Sequence, residues 1–377
     1  MGEKILLKGN EAIAIAAIRC GCDGYFGYPI TPQSEILETL SEMNPEKSTG
    51  MIVLQAESEI AAINMLYGGA GCGKKVMTSS SSPGISLMTE GISYIAGAEL
   101  PCVIVDVMRG GPGLGTIQPA QSDYFQIVKG GGHGDYRTIV LAPASVQEMN
   151  DFVELSFDLA FKYRTPVVIL SDGVIGQMME KVQLSPAKPR WTDDEIVKLH
   201  GDWASTGKTS GRKRRNIVTS LDLDPHKQEQ FNIRLQNKYL EIERCEVRCE
   251  SLMCDDAEYL IVAYGLSARV SQKAVELSRS EGIKVGLLRP VTLFPYPYTA
   301  IETLVPNLKG ILTVEMSAGQ MVEDVALAVR RQAPLYFHGR TGGMLPSPED
   351  VLAIVKSIAE KTYSPDSFPG HNKLWTR

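Results

Sequence analysis

The 377-residue chain is 44% apolar and 22% charged, with 38 Lys plus Arg against 44 Asp plus Glu and a net charge of −6. Such a composition excludes wholesale disorder, gives no support to a nucleic-acid partner held through a basic stripe, and predicts two or three domains with cores of their own. No apolar run approaches the ~20 residues that cross a bilayer, and the start Met1-Gly-Glu-Lys is no signal peptide, so a cytoplasmic protein with no membrane partner is expected. Seven scattered cysteines argue against a disulfide framework. Cys245, Cys249 and Cys254 lack the spacing of a zinc ribbon or cluster site, so half-buried soft residues, two of them able to share a helix face, are expected there, and no metal site in this chain.

Residues 1–185 alternate short β-rich runs with helical patterns. Tyr25–Tyr28 reads as a strand, 33–42 as a helix, Met51–Gln55 as a strand, Glu57–Ala70 as a helix, Val76–Thr78 as a strand and Ile85–Ala98 as a helix. Cys102–Asp106, Thr138–Leu141 and Pro166–Leu170 are near-continuous apolar runs, which fits central parallel strands buried on both faces, and Ser145–Phe161 is a helix between the last two. This alternation predicts a doubly wound, mainly parallel sheet. Residues 186–256 are charged and broken by Pro and Gly, and read as a connecting arm, helical around 227–247, with a solvated basic run Arg212–Arg215. A second α/β unit over 257–345 alternates strands at Tyr259–Tyr264, Val285–Leu288 and Gly310–Val314 with helices at Ala268–Glu281 and Met321–Arg331. A last helix, Pro348–Ala359, and a polar tail complete 346–377.

Gly68–Lys75 nearly spells a P-loop, but its glycines follow a helix and precede a strand, the wrong order for aiming amides at phosphate. It reads as a helix end and a turn. Zinc-hydrolase and serine-hydrolase motifs are missing from the sequence. What remains is four loops at the C-terminal ends of expected strands, where open α/β sheets bind ligands. Tyr28-Pro29-Ile30-Thr31-Pro32 is rigid, with Thr31 a candidate N-cap. Gln55-Ala-Glu57-Ser-Glu59 places acid at a helix start, which capping alone would explain. Ser79–Ser82 is rich in hydroxyls, and Arg109 stands before a glycine loop, well suited to a carboxylate or phosphate. Together they predict a site for an acidic small molecule.

Seven blocks, Gly27–Pro32, Gln55–Glu59, Ser82–Met88, Met108–Gly113, Gly132–Asp135, Leu141–Val146 and Val314–Gln320, resemble the alpha subunit of 2-oxoacid:ferredoxin oxidoreductases. The wording is most similar to the branched-chain, 2-oxoisovalerate type, with the 2-oxoglutarate type or a non-catalytic assembly subunit as alternatives. The resemblance implies a thiamine diphosphate pyrimidine-binding domain followed by a transketolase C-terminal-like domain. It implies that Glu57 protonates N1′ of the aminopyrimidine, so that the 4′-nitrogen removes the C2 proton. It implies that Thr31 and Arg109 hold the 2-oxoacid carboxylate, and that Tyr28, Pro29, Ile30 and Ser82 line the cofactor. Met108 beside Arg109 would suit an aliphatic substrate. Coenzyme A is the implied acyl acceptor. Ser171-Asp-Gly-Val174 lacks the glycine of a magnesium–diphosphate motif, and the sequence has no cluster-type cysteine runs. A beta subunit would then carry the diphosphate and Mg²⁺, and gamma and ferredoxin-like delta subunits would complete a dimer of heteromers whose [4Fe-4S] clusters reduce ferredoxin.

Overall fold

A computed structural model describes residues 4–208 and 214–363. Its strands are β1 (Lys4–Lys8), β2 (Gly24–Gly27), β3 (Ile52–Gln55), β4 (Val76–Ser80), β5 (Cys102–Met108), β6 (Ile139–Leu141), β7 (Pro166–Asp172), β8 (Met179–Gln183), β9 (Cys249–Leu252), β10 (Tyr259–Val262), β11 (Val285–Pro290), β12 (Thr292–Phe294), β13 (Gly310–Glu315) and β14 (Leu335–Gly339). Every residue of β4, β5 and β7 is buried, as the apolar runs require of strands covered on both faces. They lie inside a sheet of order β12-β6-β7-β5-β4-β2-β3, parallel except where β12 meets β6. The second sheet has the order β14-β13-β10-β11-β9, parallel except for β9. β1 and β8 pair as a separate antiparallel ribbon.

Helices Glu59–Gly71 and Ser82–Gly97 pack against each other beside the first sheet, and Val146–Tyr163 packs with Gly9–Arg19. The Gly68–Lys75 run is the helix end and turn expected of it, with Cys72 as C-cap before β4. Several expected boundaries move. The helix expected from Glu57 begins at Glu59, because the hydroxyl of Ser58 accepts the Ala61 amide and sets the N-cap there. The helix expected from Ile85 begins at Ser82, where Pro83 costs nothing in the first turn. Cys245 ends the helix Pro225–Cys245 and is exposed, while Cys249 sits in β9, so they share no helix face.

Residues expected as an arm return to the body of the protein. Thr192 caps the helix Asp193–His200, and Trp191 and His200 meet Phe161 while Trp203 packs on His200, with ring centroids 4.9–5.5 Å apart. Arg214 and Arg215 are exposed, whereas Arg212 and residue 213 lie outside the described residues, as does the tail beyond 363. No described helix is long and apolar enough to cross a membrane.

Two features bind the sheets into one body. β12 leaves the second unit to border the first sheet, where the Ala142 amide donates to the Val291 carbonyl at 2.8 Å. Gln121, fully buried, spans the gap with its side chain: Nε2 donates to the Tyr264 carbonyl (2.8 Å), and Oε1 accepts from Ser267 Oγ (2.7 Å) and the Met316 amide (3.0 Å). Replacing Gln121 by Ala leaves those buried groups unpaired, so Gln121→Ala is expected to cost about 1–3 kcal/mol, read by denaturant unfolding.

Candidate active site

The central order β5-β4-β2-β3 is parallel, so the C-terminal ends of these four strands stand side by side. The four loops singled out in the sequence are the continuations of those ends. After β2, the 28–32 loop is pinned from below. Tyr25 Oη lies 2.6 Å from Ser79 Oγ, which donates to Gln33 Oε1 (2.5 Å), and Gln33 Nε2 donates to the Tyr28 carbonyl (3.1 Å). Asn10 and Gln177 both donate to the Pro32 carbonyl. Pro29 and Thr31 face solvent, with Tyr28 and Ile30 half-buried. Thr31 is not the cap expected of it, because the N-cap position is Gln33, two residues on.

After β3, the two carboxylates part company. Glu57 is exposed and outside the helix, whereas Glu59 occupies its first turn and is 6% exposed. Among the described residues neither carboxylate has a hydrogen-bond or ion-pair partner. The Glu59 side chain runs toward Gly84 in the next helix. A Cβ on Gly84 would sit 2.6 Å from Glu59 Oε1 and 2.1 Å from Ser80 Oγ.

After β5, Arg109 is 8% exposed and makes no ion pair. Its Nη1 donates to the Thr31 carbonyl (3.0 Å) and its Nη2 to the Leu114 carbonyl (3.4 Å), while Nε is buried without a partner. Thr31 and Arg109, 78 residues apart in the chain, therefore meet. Ser82 joins them through the main chain, since its Oγ accepts the Arg109 amide at 3.0 Å. Met108 does not face the same space, because strand alternation turns its fully buried side chain to the other face of β5. Against Ser82, Asp123 and the 110–113 loop opens a cavity of about 690 Å³, closed on the far side by Met316–Ala318, Gln320, Thr341 and Gly342 of the second unit.

Other acids near this edge are structural. Asp172 Oδ1 accepts the amides of Val174 and Ile175 and Oδ2 that of Leu266, and burial still pushes its carboxyl up to about 6. Glu315, in the Val314–Gln320 block, accepts the amides of Gln320, Met321 and Val322 and starts the helix Met321–Val329. Among the described residues no group of three or more His, Cys, Asp or Glu could hold a metal.

Sequence reasoning passed over Gln33, Asp106, Asp123 and Glu59. The last was within reach, because Ser58 is the best capping residue in its block and leaves Glu59 in the helix. Gly84→Ala would drive a methyl into Ser80 and Glu59, and overpacking of this kind is expected to cost about 1–3 kcal/mol, seen as a lowered Tm.

Residues 15–237 match the pyruvate flavodoxin/ferredoxin oxidoreductase, thiamine diphosphate-binding family, and residues 257–351 match pyruvate:ferredoxin oxidoreductase core domain II. The chain is 53% identical over 357 residues to the ketoisovalerate oxidoreductase subunit VorB of Methanothermobacter thermautotrophicus, covering 94% of this chain and 97% of that one. It is 36% identical to the 2-oxoglutarate synthase subunit KorA of Archaeoglobus fulgidus, over 94% and 99% of the two chains. A solved 2-oxoglutarate:ferredoxin oxidoreductase from Magnetococcus marinus, with 2-oxoglutarate, coenzyme A and succinyl-CoA bound, superposes with a TM-score of 0.81 at 27% identity. That match covers 95% of this chain and 65% of the other. A split-gene transketolase, at 14% identity and a TM-score of 0.58, has the same fold. The chain belongs to the 2-oxoacid:ferredoxin oxidoreductase family, as a subunit that carries its thiamine diphosphate-binding domain and its core domain II.

Proposed function

We propose that this subunit binds a branched-chain 2-oxoacid, 2-oxoisovalerate, and forms half of a site that decarboxylates it oxidatively to acyl-coenzyme A and carbon dioxide while reducing ferredoxin. The observation that carries the reading is Arg109, a buried guanidinium with no acidic partner and one unpaired donor. A buried cation in that state is costly unless an anion completes it, and a planar carboxylate fits its fork. Thr31, beside it and exposed, supplies a hydroxyl to the same anion. The choice of an aliphatic substrate is supported by the 53% likeness to a subunit named for ketoisovalerate, against 36% for one named for 2-oxoglutarate.

Thiamine diphosphate supplies the carbon that attacks the keto group. The chain offers its aminopyrimidine end the rigid Tyr28-Pro29-Ile30 loop and a carboxylic acid, whereas the Ser82 hydroxyl is committed to Asp123 and the Arg109 amide. Of the two candidate acids, Glu59 is the better placed. It is shielded from bulk water, held in the first turn of a helix, and left without a partner among the described residues, so its carboxyl group is free to meet a ring nitrogen. Glu57, exposed at the same loop, competes for the role only if the partner subunit buries it.

Among the described residues Asp172 is no anchor for the diphosphate end, since it is already committed to three main-chain amides. A beta subunit is assigned that end, with its Mg²⁺, and the [4Fe-4S] clusters fall to ferredoxin-like partners. Helices Glu59–Gly71 and Ser82–Gly97 present Ile60, Met65, Leu87 and Tyr94 to solvent beside the site, an apolar face suited to that subunit.

Two outcomes test the reading in the reconstituted complex. Glu59→Gln should slow exchange of the thiamine C2 proton by about a hundredfold or more, the size of a general-acid contribution, while Glu57→Gln leaves it near the wild-type rate. The reverse result transfers the role to Glu57. Arg109→Lys keeps the charge and loses the fork, so kcat/KM for the 2-oxoacid should fall by roughly tenfold or more. Unchanged kinetics would place the carboxylate elsewhere.

A further inference from the structure

The glycine loop after β5 hangs between two stems. Its base is a bridge between Arg109 and Pro119, with the Gly110 amide donating to the Gln118 carbonyl at 2.9 Å. Asp106 lies on the incoming stem and Asp123 on the outgoing one, and both are buried, at 0% and 7% exposure. Neither oxygen of Asp106 has a hydrogen-bond partner among the described residues. Two carboxylates cannot both stay ionised when buried together, so one must keep its proton. Burial, and then the charge of Asp123, hold the Asp106 carboxyl well above the usual range, and the nearby Ser82 amide offsets this only in part. Asp106 is thus the protonated member of the pair. Asp123 Oδ2 accepts the Ser82 hydroxyl at 2.5 Å, and that same Oγ receives the Arg109 amide.

Resting on the reading of Arg109 given above, we propose that Asp123 is a positioning residue for the 2-oxoacid: through the Ser82 hydroxyl it locks both stems of the glycine loop and fixes the Arg109 main chain, so that its guanidinium stays beside Thr31. The arrangement runs in one direction. Asp123 orients Ser82, and Ser82 is left to accept from Arg109. An apolar residue at 123 could fill the space but could not orient that hydroxyl.

The test uses the reconstituted complex and separates substrate binding from cofactor activation. Asp123→Ala removes the acceptor that Ser82 needs, and KM for the 2-oxoacid should rise at least about tenfold with a smaller change in kcat. C2-proton exchange, which needs no substrate carboxylate, should stay near the wild-type rate. Asp123→Asn keeps an oxygen for Ser82, so it should hold KM within about twofold of wild type. If the alanine variant does not assemble, Ser82→Ala breaks the same relay and should raise KM likewise. A KM that stays put in Asp123→Ala or Ser82→Ala overturns the proposal, as does a loss of C2 exchange equal to the loss in KM. Arg109→Lys, run alongside, distinguishes the failures. If it alone raises KM, only the positioning role falls, and if it also leaves KM unchanged, the carboxylate reading falls with it.

Discussion

A strand covered on both faces can show polar chemistry only where it ends. That constraint organises this protein. β4, β5 and β7 are buried along their whole length, and among them even Thr78, Ser79, Ser80 and Asp106 are fully enclosed. Because β5, β4, β2 and β3 are neighbours running the same way, their four exits fall on one edge. Arg109, Ser82, Thr31 and Glu59 are assembled there from separate parts of the chain, and the sheet holds them more rigidly than loops alone could.

The second unit closes that edge instead of standing apart from it. Gln121 bonds across the gap, β12 crosses to border the first sheet, and residues 316–318 face the cavity beside Ser82 and Asp123. The Glu315 carboxylate explains why that wall is fixed: three amides converge on it, and the turn before the helix Met321–Val329 cannot open without leaving a buried carboxylate bare. The acids Asp172 and Glu315 beside the site are already engaged with main-chain amides.

Much of this was legible in the sequence. The apolar runs at 102–106 and 166–170 declared central strands, and the order of helix and strand around Gly68–Lys75 ruled out a phosphate loop. Harder to read were effects that depend on chain-distant partners. Thr31 looked like a cap because capping is a local property, but Gln33 takes that position while Ser79, 46 residues away, holds its side chain. Met108 looked like a pocket residue until strand alternation was counted from Arg109. β12 and β9 are three and four residues long, too short for periodicity to find, and both are made by pairing rather than by propensity. Asp106, within an apolar strand, and Asp123, in a polar stretch, acquire meaning only once they face each other.

The central claim is that this chain holds the aminopyrimidine and substrate ends of a divided site and that another subunit holds the diphosphate. Calorimetric titration of thiamine diphosphate with magnesium, into the purified chain and into the complex with its partner subunit, tests this directly. Stoichiometric binding in the complex, and none of comparable affinity in the folded chain alone, is the predicted result. Tight one-to-one binding to the isolated chain would contradict it.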